Sequence, residues 1–135
     1  MIQFDTSFLV DLMREVARRQ QGPASRLIEG LAHEPFAVSI FVVCELEAGV
    51  GRSANPIAEK QRVDALIGSL EVSLPGRGFA ETYAAATTSL FRRRLNVDTM
   101  DLLIGCSALA DGARLVTRNI KHFSMIESLE LIGYA

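Results

Sequence analysis

Short apolar runs alternate with longer amphipathic stretches along the whole chain. The runs IQF (2–4), FAVS (36–39), EVSL (71–74), RLVT (114–117) and LELI (129–132) have the length and composition of buried strands, the last at a sheet edge. Between them apolar residues recur at helical spacing. Phe8, Leu9, Leu12, Met13 and Val16 mark one face of a helix predicted from about 7 to 20, and Arg14, Arg18 and Arg19 fill the other face. Gly22–Pro23 breaks that helix and opens a second, with Leu27, Ile28 and Leu31 as its stripe. Ser39 can cap a helix carrying Phe41, Val42, Cys44, Glu45, Leu46 and Ala48. Further helices are predicted over 56–70 and 79–94, the latter with Tyr83, Ala84, Thr87, Leu90 and Phe91 inward. A last long helix runs from Asp98 or Thr99 to Ala110, where Gly112 ends it by taking the left-handed conformation.

Strands thus alternate with helices, and each connection is long enough for a crossover. That order predicts a three-layer α/β/α sandwich around a small, mostly parallel central sheet. The 135 residues suit one domain covering 1–135. In such folds ligands bind beyond the C-terminal ends of the strands. The rule selects Asp5, Thr6 and Ser7 after the first strand, and Ser39 and Glu45 after the second. After the fourth it selects Thr117, Arg118 and Asn119, while Asp101 lies in the first turn of the helix leading to that strand.

Charge and cysteine usage narrow the chemistry. The net charge is −2, whereas a chain that grips nucleic acid by bulk charge is basic. Any such contact must use a local patch; local basic groups include Arg18–Arg19, Arg92–Arg93–Arg94, Arg114, Arg118 and Lys121, each of which is most simply a solvated helix face. Cys44 and Cys106 sit in apolar helical patterns and read as small buried thiols. With no CxxC pair, and with His33 and His122 far apart, a Cys/His zinc site is not expected. The opening MIQFDTSF has no signal-peptide pattern, and no apolar run approaches a membrane span. The expectation is a reduced, cytoplasmic protein without membrane contact.

Three acids stand inside apolar segments. Asp5 follows Ile2–Gln3–Phe4, Glu45 lies between Val42–Val43–Cys44 and Leu46, and Asp101 precedes Leu102–Leu103–Ile104. Each has an ordinary structural explanation: a helix cap beside Thr6 or Ser7, a helix-surface charge, and a first-turn acid favoured by the helix dipole. Asp98 is most simply an N-cap. Together, however, the three fall at one end of the expected sheet. Carboxylates buried alone are costly, and converging ones repel. A hard divalent cation, Mg2+ or Mn2+, would reconcile them because it takes oxygen ligands.

The stretches MIQFDTSFLVDL, SIFVVCELEAG, DLLIGCSALADGARLVTRNIKHF and the final LELI resemble a PIN domain, and within that family the VapC-type toxin nucleases. The likeness spans nearly the whole chain in the family's order. It implies a metal-dependent endoribonuclease that leaves a 5′-phosphate, with Asp5, Glu45 and Asp101 holding Mg2+ or Mn2+. A fourth acidic position of the family matches Asn119, a departure that keeps an amide oxygen but adds no charge; Asp98 can supply charge nearby. The hydroxyls of Thr6, Ser7 and Thr117 would orient carboxylates or a water. Arg118, Lys121 and His122 would face incoming phosphates. The likeness also implies a cognate VapB-type antitoxin and a homodimer, with the N-terminal helices as groove walls. A housekeeping PIN nuclease in RNA processing, or a weakened RNA- or protein-binding PIN module, remain open. GRGFAE (76–81) lacks the last glycine of a dinucleotide loop, and Ser39 and Ser107 lack a Gly-x-Ser-x-Gly frame, which disfavours nucleotide-binding and serine-hydrolase readings.

Overall fold

The computed structural model describes residues 1–134. Its first strand, β1 (Ile2–Phe4), has no solvent-facing residue, as a central strand covered on both faces requires. The chain continues through α1 (Thr6–Ala17), α2 (Pro23–Gly30), β2 (Phe36–Ser39), α3 (Ile40–Gly51), α4 (Pro56–Gly68) and β3 (Glu71–Ser73). It ends with α5 (Phe79–Arg92), α6 (Thr99–Ala110), β4 (Arg114–Val116), α7 (Ile120–Phe123) and β5 (Leu131–Ile132). The strands form one sheet in the order β3-β2-β1-β4-β5, and every pairing is parallel. The sheet is fully rather than mostly parallel because every strand-to-strand connection contains a helix. Right-handed crossovers put α1 to α4 on one face and α5 and α6 on the other, completing the three layers.

Aromatic packing joins the sheet to α1. Phe8 stacks on Phe4 at 4.9 Å between ring centroids, and Phe36 and Tyr134 meet this pair edge-on. On the other face α6 buries Leu102, Ile104, Gly105, Cys106, Ser107 and Ala108, so it is covered nearly all round. A Cβ on Gly105 would stand 2.5 Å from Ile126 Cδ1, so the absent side chain lets the segment after α7 close against α6.

Helical periodicity placed several side chains on the wrong side. Cys106 is buried as expected, but Cys44 is exposed, because α3 turns Val42 and Leu46 inward and Cys44, two residues from each, falls on the opposite face of the helix. In α5 the buried pair is Ala86 and Leu90; Phe91, one residue on, is 84% exposed, and Ala84 is exposed as well. Val16, at the far end of α1, is 67% exposed and takes the groove-wall alternative, lining an apolar depression beside α4. Thr117 falls just beyond β4, and β5 is shorter than the apolar run that announced it. Gly112 does take the left-handed conformation, at φ 63°.

Glu15 closes the turn between α1 and α2. The α2 N-cap is Gly22, which has no side chain to offer. Glu15 takes that role: its carboxylate accepts from the backbone N–H groups of Gly22 (2.8 Å), Ala24 (3.0 Å) and Ser25 (2.9 Å) and from Ser25 Oγ (2.7 Å). Partial burial would raise the Glu15 carboxyl, but the hydrogen bonds from Ser25, Ala24 and Gly22 outweigh it and hold it below its ordinary value. Glu15→Ala should therefore cost about 1–2 kcal/mol in urea unfolding at neutral pH. Because the folded-state pKa is depressed, this contribution is present above the usual carboxylate range and lost as pH falls through the folded value. The gap between the two proteins should accordingly shrink at acid pH. Gly22→Ala places a Cβ 2.5 Å from Glu15 Cδ and should give a loss that does not add to that of Glu15→Ala.

Candidate active site

The sheet order reverses between β1 and β4. From β1 the chain steps to β2 on one side, while β4, its other neighbour, arrives much later in the sequence. The two strands pair in the register Phe4 with Val116, so the next residues, Asp5 and Thr117, meet at this switch point. Asp5 N donates to Val116 O at 2.9 Å. The Asp5 side chain is almost fully buried, and all its partners are neutral donors. Thr117 Oγ1 (2.7 Å) and Ser7 Oγ (2.9 Å) donate to Oδ2, and Thr6 N (2.6 Å) donates to Oδ1.

The other acids arrive on helix starts. Ser39 ends β2 and caps α3 through Val42 N at 3.3 Å. One turn further on, Glu45 reaches back to the start of α1, where Thr6 Oγ1 donates to its Oε1 at 2.5 Å. Asp98 caps α6 by accepting from Met100 N at 3.2 Å, as expected, and Asp101 follows in the first turn. Burial pushes the Asp101 carboxyl up to about 6, and the charges of Asp5, Asp98 and Glu45 push in the same direction, with His122 opposing. The four acids therefore share one electrostatic field.

Asn119 joins this set through its backbone: its N–H donates to Thr117 Oγ1 at 2.9 Å. Its side-chain amide turns to His122, with Nδ2 to Nδ1 at 2.9 Å, and the same His122 nitrogen stands 3.9 Å from Asp101 Oδ2. His122 thus sits beside a carboxylate. Arg118 is held away from the carboxylates by Asp11, which accepts from its Nη1 at 3.0 and 3.1 Å and from Tyr134 Oη at 2.8 Å. Asp11 was not singled out in the sequence. Its signal was that of the other acids, a charge inside the apolar stretch 8–13. Of the remaining basic groups, Arg114 pairs with Glu34 and Arg93 reaches Met125 O, so the candidate patch residues are dispersed.

Among the described residues no three His, Cys, Asp or Glu side chains stand close enough to hold an ion as they are oriented. Hydroxyl groups engage the carboxylates instead. The donor chemistry nonetheless suits a hard cation: the groups are oxygen ligands, negative charge is in excess, and the one basic group in ion-pair range among the described residues is His122.

Comparison with known proteins identifies the family of the fold. The PIN domain family matches residues 2–127. The chain belongs to the PIN domain family. It is 34% identical over 96 residues to Ribonuclease VapC2 of Rickettsia felis, covering 71% of this chain and 72% of that protein. Its fold matches VapBC2 of Rickettsia felis, solved bound to a DNA fragment from their promoter, with a TM-score of 0.90, 28% identity and full coverage of both chains. VapBC-1 of nontypeable Haemophilus influenzae matches with a TM-score of 0.80, 25% identity and 98% coverage of each chain. Among the described residues of this PIN domain, no helix is long and apolar enough to cross a membrane.

The shared field makes a stability prediction for the PIN domain without added metal. Asp101 binds its proton more tightly in the fold, at about 6, than at its ordinary value of 3.8. The raised value means that its contribution is full at low pH and lost as pH rises through about 6. In chelator at pH 7, Asp101→Asn should therefore be more stable than the parent, by about 1–2 kcal/mol once partial exposure is discounted. Denaturant unfolding should show the difference closing toward pH 4. Equal destabilisation at both pH values would contradict the shared field.

Proposed function

We propose that this chain, read as one PIN domain over 1–135, is a metal-dependent endoribonuclease and the toxin of a toxin–antitoxin pair. Its relatives are named ribonucleases of the VapC type, and its structural neighbours are VapBC complexes. The observation that carries the reading is the buried Asp5 carboxylate at the β1–β4 switch point, fixed by Thr117 and sharing a field with Glu45 and Asp101. Its substrate is RNA and its partner a VapB-type antitoxin; it works as a homodimer in the cytoplasm.

Asp5, Glu45 and Asp101 would hold Mg2+ or Mn2+. Such a cation would activate a water for in-line attack on phosphorus and offset the charge that builds on the phosphoryl oxygens. The chain's own part is positioning. Thr117, Ser7 and the Thr6 N–H fix both oxygens of Asp5, and Thr6 Oγ1 fixes Glu45. Asn119 holds Thr117 from the other side through its backbone N–H, while its amide, uncharged where the resemblance expects an acid, turns to His122. Asp98 adds negative field from the α6 cap. Arg118, braced on Asp11, stands at the rim as the contact for a phosphate.

Asp5→Ala and Asp101→Ala should each abolish cleavage of cellular RNA in Mg2+ or Mn2+ while leaving a cooperative unfolding transition. The parent should lose activity in chelator and regain it on adding either ion. Cleavage at the parental rate by either alanine variant would reject the site.

A further inference from the structure

A cleft of about 370 Å3 opens where Thr6 meets Glu45 and runs between α1, α3 and α4. Three arginines line it: Arg14 on α1, Arg52 at the end of α3 and Arg62 on α4. All three side chains are exposed, and none is tightly paired. Arg14 stands 3.9 Å from Asp11 and Arg62 stands 3.4 Å from Glu59, while Arg52 has no ion pair among the described residues. Apart from Glu45 at the mouth, Glu59 is the one acid in the lining. The rest is mostly apolar, with Val10, Met13 and Leu46, and contains no aromatic ring. In a chain of net charge −2, this concentration of guanidinium groups beside a carboxylate cluster is a local reversal of sign.

A polyanion approaching the carboxylates is repelled by them. Its flanking phosphates need positive charge next door, and exposed arginines present paired N–H donors to phosphate oxygens. A neighbouring groove of about 440 Å3, lined by Leu12, Val16, Ala65 and Leu66, shares Met13, Ala17 and Arg62 with the cleft but is otherwise almost wholly apolar. Charge complementarity separates the two: the arginine cleft suits phosphates and the apolar groove does not.

We propose that the arginine cleft is the path of single-stranded RNA flanking the cut phosphate, with backbone phosphates on Arg14, Arg52 and Arg62. The inference rests on the ribonuclease reading above. Without a ring for bases to stack on, the grip is electrostatic and tolerant of base identity.

The test is fluorescence anisotropy of a short labelled single-stranded RNA across a salt series in chelator, with KM and kcat measured in Mn2+. It compares the parent, the double variant Arg52→Ala/Arg62→Ala, the double variant Arg52→Lys/Arg62→Lys, and Arg26→Ala on α2 as an outside control. The alanine pair should weaken binding roughly tenfold or more and lower the salt slope by about 1.4, the value for two single-strand phosphate contacts. Its KM should rise while kcat stays within about threefold. The lysine pair should keep the salt slope, and Arg26→Ala should match the parent. Equal melting temperatures would confirm that these exposed changes leave the fold intact. An alanine pair with parental affinity, slope and KM, in a parent that cuts RNA, overturns the cleft and leaves the ribonuclease reading standing. A parent that neither binds nor cuts RNA overturns that reading and the cleft with it. An alanine pair that keeps parental RNA parameters but loses a bound protein partner assigns the cleft to that partner, and also overturns the proposal.

Discussion

The constraint on which the rest of the structure depends is a carboxylate buried at the end of the central strand. Asp5 is only 4% exposed. An acid in that position is costly unless its oxygens are occupied. Two of its partners are near neighbours, Thr6 and Ser7, and local chain geometry delivers them. The third, Thr117, lies 112 positions away and arrives only if β4 pairs with β1 in one register. A slip of one residue would turn Thr117 to the opposite face and strip Asp5 of that bond. Sheet topology and site chemistry are therefore the same fact seen at two scales.

The distribution of positive charge follows from this. Arg118, next to the site in sequence, is held by Asp11, while Arg114 pairs with Glu34 and Lys60 with Glu47 and Asp64. Asp5 and Glu45 are bonded by hydroxyls and an N–H donor, which orient them without cancelling their charge, and Asp101 has His122 beside it. Excess charge reappears in the raised Asp101 carboxyl, and it is a tension that a divalent cation would relieve. The same logic gives Glu15 a different role: its carboxylate meets backbone N–H groups at a helix start and stabilises the fold.

Outside the carboxylates the surface divides by chemistry. Arginines line the cleft that opens beside Glu45, apolar side chains line the groove beyond it, and α5 presents Phe91 on a separate face. Met13, Ala17 and Arg62 border both depressions, so an occupant of one touches the rim of the other.

Much of the fold was legible because buried parallel strands demand nearly unbroken apolar runs, and IQF, FAVS and RLV provide them. Asp5, Glu45 and Asp101 were legible because an acid inside such a run is expensive and stands out. Cys44 and Phe91 were misread for one reason: periodicity tells which residues share a helix face, while the neighbours decide how far that face is covered. The sequence by itself determined the alternation of strands and helices, the acids at the strand ends and the helix starts, all of which depend on local composition. Only the tertiary structure decided that Asp11 takes Arg118, that His122 stands by Asp101 and that three arginines share one cleft. Those pairings depend on helix rotation and on contacts between residues far apart in the chain, which local pattern does not encode.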